Sequence, residues 1–221
     1  MKKILRHLLT RIILLLILLY AFNIPWIVEV RAENKLSVAV LPFFIEKEAV
    51  CPICKGVYQR GEILPGAQNT LTRLLQQKME TLGKFRVLPL EKTEEAFFHW
   101  ERRRFEERII PSSIQLGEEL NVDFLFVGFL FRFEERIGSS IGVEKPASVG
   151  FDIHLFRIRD GVEVWRGKFD ETQSPLSENL LKIGSFFRRK ASWLTAGELS
   201  SVGMDEMLRR LPGSQELEEK Q

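Results

Sequence analysis

Apolar and polar positions divide the chain into strands and helices of different period. Residues 36–44 (LSVAVLPFF) form a β-branched and aromatic run that predicts a strand buried on both faces, with Pro42 marking its end or an edge. Residues 45–64 have no clear period and read as a long loop around Cys51-Pro52-Ile53-Cys54. Pro65-Gly66 precedes a helical pattern in Leu71, Leu74, Leu75, Met79 and Leu82, stopped by Gly83. Phe85–Leu90 predicts a short strand. Thr93–Arg108 predicts a helix with Glu94 and Glu95 in its first turn and arginines toward its end, which suits the helix dipole. Pro111 is expected to break it, and Ser112-Ser113-Ile114-Gln115 to cap a short helix reaching about Leu120.

Asp123–Phe133 (DFLFVGFLFRF) is the most apolar stretch beyond the first 32 residues. It predicts the central strand, with Gly128 leaving room for a close neighbour. Residues 137–147 read as a loop. Val149–Arg159 and Val162–Thr172 alternate with period two, and Asp160-Gly161 between them predicts a type I′ hairpin. Leu176–Leu211 reads as helical with a break near Gly197 or Gly203, and residues 212–221 as a polar, disordered tail. The order β, α, β, α, α, β, hairpin, helices predicts an α/β (α+β) fold. It is one mixed β-sheet with a C-terminal β-hairpin, helices packed against the sheet, and further C-terminal helices.

Charge changes the picture at one end only. The formal net charge is +2, yet Lys2, Lys3, Arg6, Arg11 and Arg31 face a lone Glu29 within residues 1–32. The remainder is slightly acidic, which removes any basis for nucleic-acid binding. Ile12–Phe22 is an unbroken run of eleven apolar residues behind a basic start. With Val30 and Ala32 ahead of Glu33, this predicts a signal peptide cut near Ala32; residues 12–28 alternatively serve as an uncleaved inner-membrane anchor. Either reading exports residues 33–221 to the periplasm, with one α/β domain over residues 33–211. Membrane contact through residues 1–32 is expected only if they are uncleaved.

Cys51 and Cys54 are the only cysteines. An exported C-x-x-C is first read as a disulfide that restrains its own loop. A redox pair is a second reading, although Lys55-Gly56 rather than a helix comes directly after it. Half of a metal site is a third, for which His99 and His154 or a second chain would have to supply the rest. Residues 102–104 and Arg108 alternate with glutamates and read as a solvated helix face. Phe97, Trp100 and Arg104, together with Phe186, Phe187 and Trp193, are candidates for a protein interface, where aromatic and arginine side chains concentrate binding energy. Sheet-covering core positions are the alternative for the aromatics. There is no G-x-S-x-G, no G-x-x-x-x-G-K and no dinucleotide fingerprint, so no catalytic residue, cofactor or bound metal is assigned.

Three stretches carry a resemblance. Val38-Ala39-Val40-Leu41-Pro42-Phe43, then Leu116-Gly117-Glu118-Glu119-Leu120-Asn121-Val122-Asp123 continuing to Gly128, then Asp160-Gly161 to Val164-Trp165, together resemble bacterial envelope proteins with a TolB N-terminal-like α/β domain. The curli-secretion lipoprotein and the lipoprotein activator of penicillin-binding proteins are relatives of that kind. The resemblance implies a non-enzymatic adaptor or assembly protein working through contacts with envelope proteins, with homo-oligomers among the expected partners. This chain departs from the pattern in having no cysteine before position 51 to accept a lipid, and in carrying the Cys51–Cys54 insert.

Overall fold

The computed structural model describes residues 35–100, 108–173 and 192–219, with His7 and Arg11 besides. Its centre is a mixed sheet built from β1 (Ser37–Val40), β3 (Arg86–Val87), β4 (Phe124–Glu134), β7 (Ser148–Arg157) and β8 (Val162–Thr172), in the spatial order β3-β1-β4-β7-β8. A short β2 (Phe44–Ile45) continues alongside β4 beyond the end of β1. β1 runs parallel to both β3 and β4, whereas β4, β7 and β8 are antiparallel neighbours. A small ribbon of β5 (Ile137–Gly138) and β6 (Val143–Lys145) occupies part of the segment expected to be loop.

The mixed sheet and its central strand match the expectation. Phe124 to Phe133 are all buried, because β4 has a strand on either side and helices over both faces. Helices α1 (Ala67–Leu82) and α4 (Ala196–Leu208) cover the face that carries Val38, Val40, Phe124 and Phe126. Helices α2 (Leu90–His99) and α3 (Ile109–Glu119), with the segment between β2 and α1, cover the opposite face of Ala39, Leu125, Val127 and Phe129. Gly128 has the tight neighbour its position implied: an added Cβ would stand 2.5 Å from the Phe43 ring. Asp123 fastens the entry to β4 by accepting from the backbone N–H and the hydroxyl of Ser37, at 2.7 and 2.6 Å.

Several local expectations are corrected. Pro111 does not break a helix; it lies in the first turn of α3, where its missing N–H removes no intrahelical bond. No side-chain cap forms at Ser112 or Ser113, which are buried. The helix predicted from Thr93 starts at Leu90 and ends at His99, after which Trp100 is extended. The β7–β8 connection is no two-residue type I′ turn: residues 158–161 lie between the strands, and of Asp160 and Gly161 only Gly161 has positive φ, at 68°. Arg157 closes that corner, gripping Asp160 at 2.7 Å and donating to the carbonyls of Leu217 and Glu218 at 2.9 Å. Within the segment expected to be a polar tail, α5 (Ser214–Glu219) forms and buries Leu217. Gly203 lies within α4 and does not interrupt it; a Cβ there would meet the Phe169 ring at 2.6 Å. Residues 1–32 fall almost wholly outside the described part, as do residues 174–191. Among the described residues no helix is long and apolar enough to cross a membrane.

Phe126 has no exposed surface, is flanked by Val40 and Leu155 in register, and meets Trp165 edge-on at 6.2 Å. Phe126→Ala is expected to cost about 3–5 kcal/mol in urea denaturation. A loss below about 1 kcal/mol would contradict the central placement of β4.

Candidate functional site

Period-two alternation along β7 puts Phe151, Ile153 and Leu155 on the α1/α4 face and Asp152, His154 and Phe156 on the other. A carboxylate and an imidazole therefore sit two residues apart in a buried sheet face, 1 % and 0 % exposed. Buried groups of this kind need partners. The segment between β2 and α1 supplies them. It folds back on itself through a bridge between Val50 and Val57, with the N–H of Cys51 donating to Gly56 and that of Lys55 to Cys51. Lys55 adopts positive φ, 58°, to complete the reversal. The turn drops both sulfurs onto β7: Cys51 Sγ lies 3.3 Å from Nε2 of His154, and Cys54 Sγ lies 3.8 Å from Oδ2 of Asp152.

Further contacts fix the same segment. The Tyr58 hydroxyl donates to Oδ2 of Asp152 at 2.7 Å, and its ring stacks on Phe131 at 3.8 Å. Lys168 stands 4.2 Å above the other side of that ring and donates to the Val57 carbonyl. Buried Arg132 donates to the Gln59 carbonyl and pairs with Asp170, at 2.7 and 2.8 Å. A bulge between Leu155 and Phe156 shifts the register of β8 and brings Glu163 opposite Phe156, so that its carboxylate accepts from Nδ1 of His154 at 2.7 Å.

The electrostatics result from this packing. Burial, reinforced by the negative charge of Asp152, pushes the Cys51 thiol far above its ordinary pKa; the N–H groups of Cys54 and Ile53 offset only part of that rise. Burial beside Asp152 raises Tyr58 in the same way and keeps its hydroxyl a donor. Burial alone would lower His154, but the neighbouring Asp152 and Glu163 carboxylates favour its charged form and move its pKa upward. Oδ1 of Asp152 is buried and has no hydrogen-bond partner. It stands 3.5 Å from Nε2 of His154. One donor atom from each of Cys51, Cys54, Asp152 and His154 lies within 4.8 Å of the other three, close enough to converge on one cation.

Cys51 and Cys54 are both free thiols, so the expected disulfide is not formed. The turn instead directs each sulfur at β7. His99 is no part of the cluster; it ends α2, beside Phe98. Phe97 packs edge-on to Phe44 at 5.7 Å, Trp100 donates its indole N–H to Glu119, and both belong to the second core. The exposed aromatic at that end of α2 is Phe98. Trp193 is half-buried and tied through its backbone to Ser140 and Arg136. Arg104, Phe186 and Phe187 lie outside the described residues. Asp152, Glu163 and Tyr58 are cluster members that sequence reading missed, although the i, i+2 spacing of Asp152 and His154 in an alternating strand already placed them on one face.

No family model matches the chain. Among curated proteins, S-adenosylmethionine synthase of Novosphingobium aromaticivorans is 24 % identical over 106 residues, which span 40 % of this chain and 24 % of that protein. The chain thus spans about a quarter of the length of that relative. Similar solved structures include the PelC dodecamer of Paraburkholderia phytofirmans (11 % identity, 79 % of this chain and 87 % of that one, TM-score 0.45). Lipoprotein GNA1162 of Neisseria meningitidis is another (16 %, 71 % and 98 %, 0.42), as is the LpoB C-terminal domain of Escherichia coli (11 %, 63 % and 84 %, 0.38).

Tyr58→Phe leaves the buried Asp152 carboxylate without its strongest donor. The change is expected to lower stability by about 1–3 kcal/mol in denaturant titration and to speed amide exchange at Cys51 and Tyr58. Wild-type stability and exchange would show that the hydroxyl does not hold the segment.

Proposed function

We propose that the chain is an exported, non-catalytic protein of the bacterial cell envelope that acts through contacts with other envelope proteins, a second copy of itself included. The observation that carries this reading is that its reactive side chains face inward, Cys54 alone among them half-buried. The thiol–imidazole–carboxylate cluster is the one such grouping among the described residues, and Cys51, Asp152 and His154 are each at most 1 % exposed. Those groups join the 46–64 segment to the sheet. A thiol-redox role is the weaker alternative, because it needs an accessible sulfur of lowered pKa, whereas Cys51 is buried with its pKa raised and the half-buried Cys54 sulfur stands beside the Asp152 carboxylate. The basic, apolar leader supplies the address. Surface apolar groups such as Phe98 and Ile141, 87 % and 93 % exposed, are the kind that a partner covers.

A photo-crosslinking residue placed at Phe98 or Ile141 of the full chain, in cells, is expected to give a discrete adduct with one envelope protein or with a second copy. The same probe at the exposed Glu94 is the control. Adducts from positions 98 and 141 that match the control in number and identity would contradict the contact reading. A phosphatase reporter joined after Leu211 is expected to be active, as only export allows; an inactive reporter on a stable fusion would contradict the address.

A further inference from the structure

We propose that Cys51, Cys54, Asp152 and His154 bind one divalent ion of zinc's chemistry in a closed, four-ligand site that clamps the 46–64 segment to the sheet. The separations have the right scale. Zinc bonds of about 2.3 Å to sulfur and 2.0 Å to nitrogen or oxygen, set at tetrahedral angles, leave sulfur and nitrogen about 3.5 Å apart and nitrogen and oxygen about 3.3 Å apart. The observed distances are 3.3 Å from Cys51 Sγ to His154 Nε2 and 3.5 Å from that nitrogen to Asp152 Oδ1.

Each ligand is already oriented. The backbone N–H groups of Ile53 and Cys54 point at Cys51 Sγ from 3.4 and 3.3 Å, an arrangement that stabilises a thiolate. The Glu163 carboxylate accepts a hydrogen bond from Nδ1–H of His154, which fixes the ring and turns Nε2 toward the sulfurs, as supporting carboxylates do for metal-bound histidines. Tyr58 occupies Oδ2 of Asp152 and leaves Oδ1 buried, without a hydrogen bond and facing the cluster. A side chain at position 56 would press on Cys54, because a Cβ there stands 3.2 Å from its sulfur.

The donor set selects the ion. Two thiolates and an imidazole suit zinc and disfavour magnesium and calcium, which take oxygen ligands. Four protein ligands, three of them buried, leave no open position for substrate, so the ion is structural and consistent with the non-catalytic reading, without resting on it. Two thiolates and a carboxylate exceed a dication by one negative charge, the Glu163 carboxylate on His154 adds another, and the Lys168 ammonium stacked on Tyr58 offsets part of this.

The test uses the full chain, reduced, stripped with chelator and reloaded with Zn2+ or Co2+. One ion per chain is expected, and the Co2+ form should show thiolate charge-transfer absorption and the intense visible bands of tetrahedral coordination. Cys54→Ser should abolish the charge-transfer pattern of two thiolates. Glu163→Gln, which keeps all four ligands, should weaken Zn2+ binding about 10–100-fold with an unchanged circular dichroism spectrum, and it serves if Cys54→Ser does not fold. Substoichiometric metal in folded, reduced wild type, or weak six-coordinate Co2+ bands, would overturn the proposal. So would equal Zn2+ affinity in wild type and Glu163→Gln. Failure here leaves the crosslinking result untouched, so the two readings fall separately.

Discussion

The structure depends on how it satisfies two polar side chains in the middle of a buried sheet. β7 is enclosed by β4 and β8 and covered on both faces, yet it carries Asp152 and His154 where apolar residues would otherwise stand. Leaving a buried carboxylate or imidazole without partners costs several times what a typical hydrogen bond contributes. Everything unusual in this fold answers that cost. The 46–64 segment reverses so that two sulfurs and a phenol reach the pair, and a bulge in β8 brings Glu163 to the far nitrogen of the ring. The loop and the strand hold one another, although residues 51 and 154 are about a hundred positions apart.

The remainder of the architecture supports this arrangement without sharing its chemistry. β4 provides the buried spine, its Phe129 ring edge-on to His154 at 5.8 Å. Arg132, farther along β4, is itself buried and uses four neighbouring groups, Gln59, Ser148, Val149 and Asp170, to bind the same segment to the sheet. On the other face, α1 meets the strands through Leu71, Leu75 and Met79. Of two buried polar residues between them, Thr72 accepts from the Phe43 N–H and Gln76 donates to the Leu88 carbonyl. At the opposite corner Arg157 ties the β7–β8 turn to α5 in the same manner. The fold is stapled at its edges by buried polar groups, each answered by a partner distant in sequence.

This explains which parts the sequence disclosed. Dense apolar runs and their periods were legible: β1, β4, the β7–β8 pair and α1 stand where the pattern puts them, and Gly128 is small because Phe43 needs the space. Element ends were less so. Asp160-Gly161 has the composition of a tight hairpin, but Arg157 and Asp160 form a wider corner that also receives α5, a contact that local composition does not encode. The cluster was half legible. The C-x-x-C pair and His154 were visible as types, and the same-face spacing of Asp152 and His154 was available. That a loop would place its thiols over that face depends on tertiary folding, and the position of Glu163 depends on one bulge.

In the proposed site two sulfurs, one imidazole and one carboxylate form a single coordination sphere that joins loop to sheet. X-ray absorption spectroscopy at the zinc edge of the loaded, full-length protein addresses it most directly. The predicted spectrum fits two sulfur scatterers at about 2.3 Å and two nitrogen or oxygen scatterers at about 2.0 Å. A sphere of nitrogen and oxygen alone, without sulfur, would contradict it.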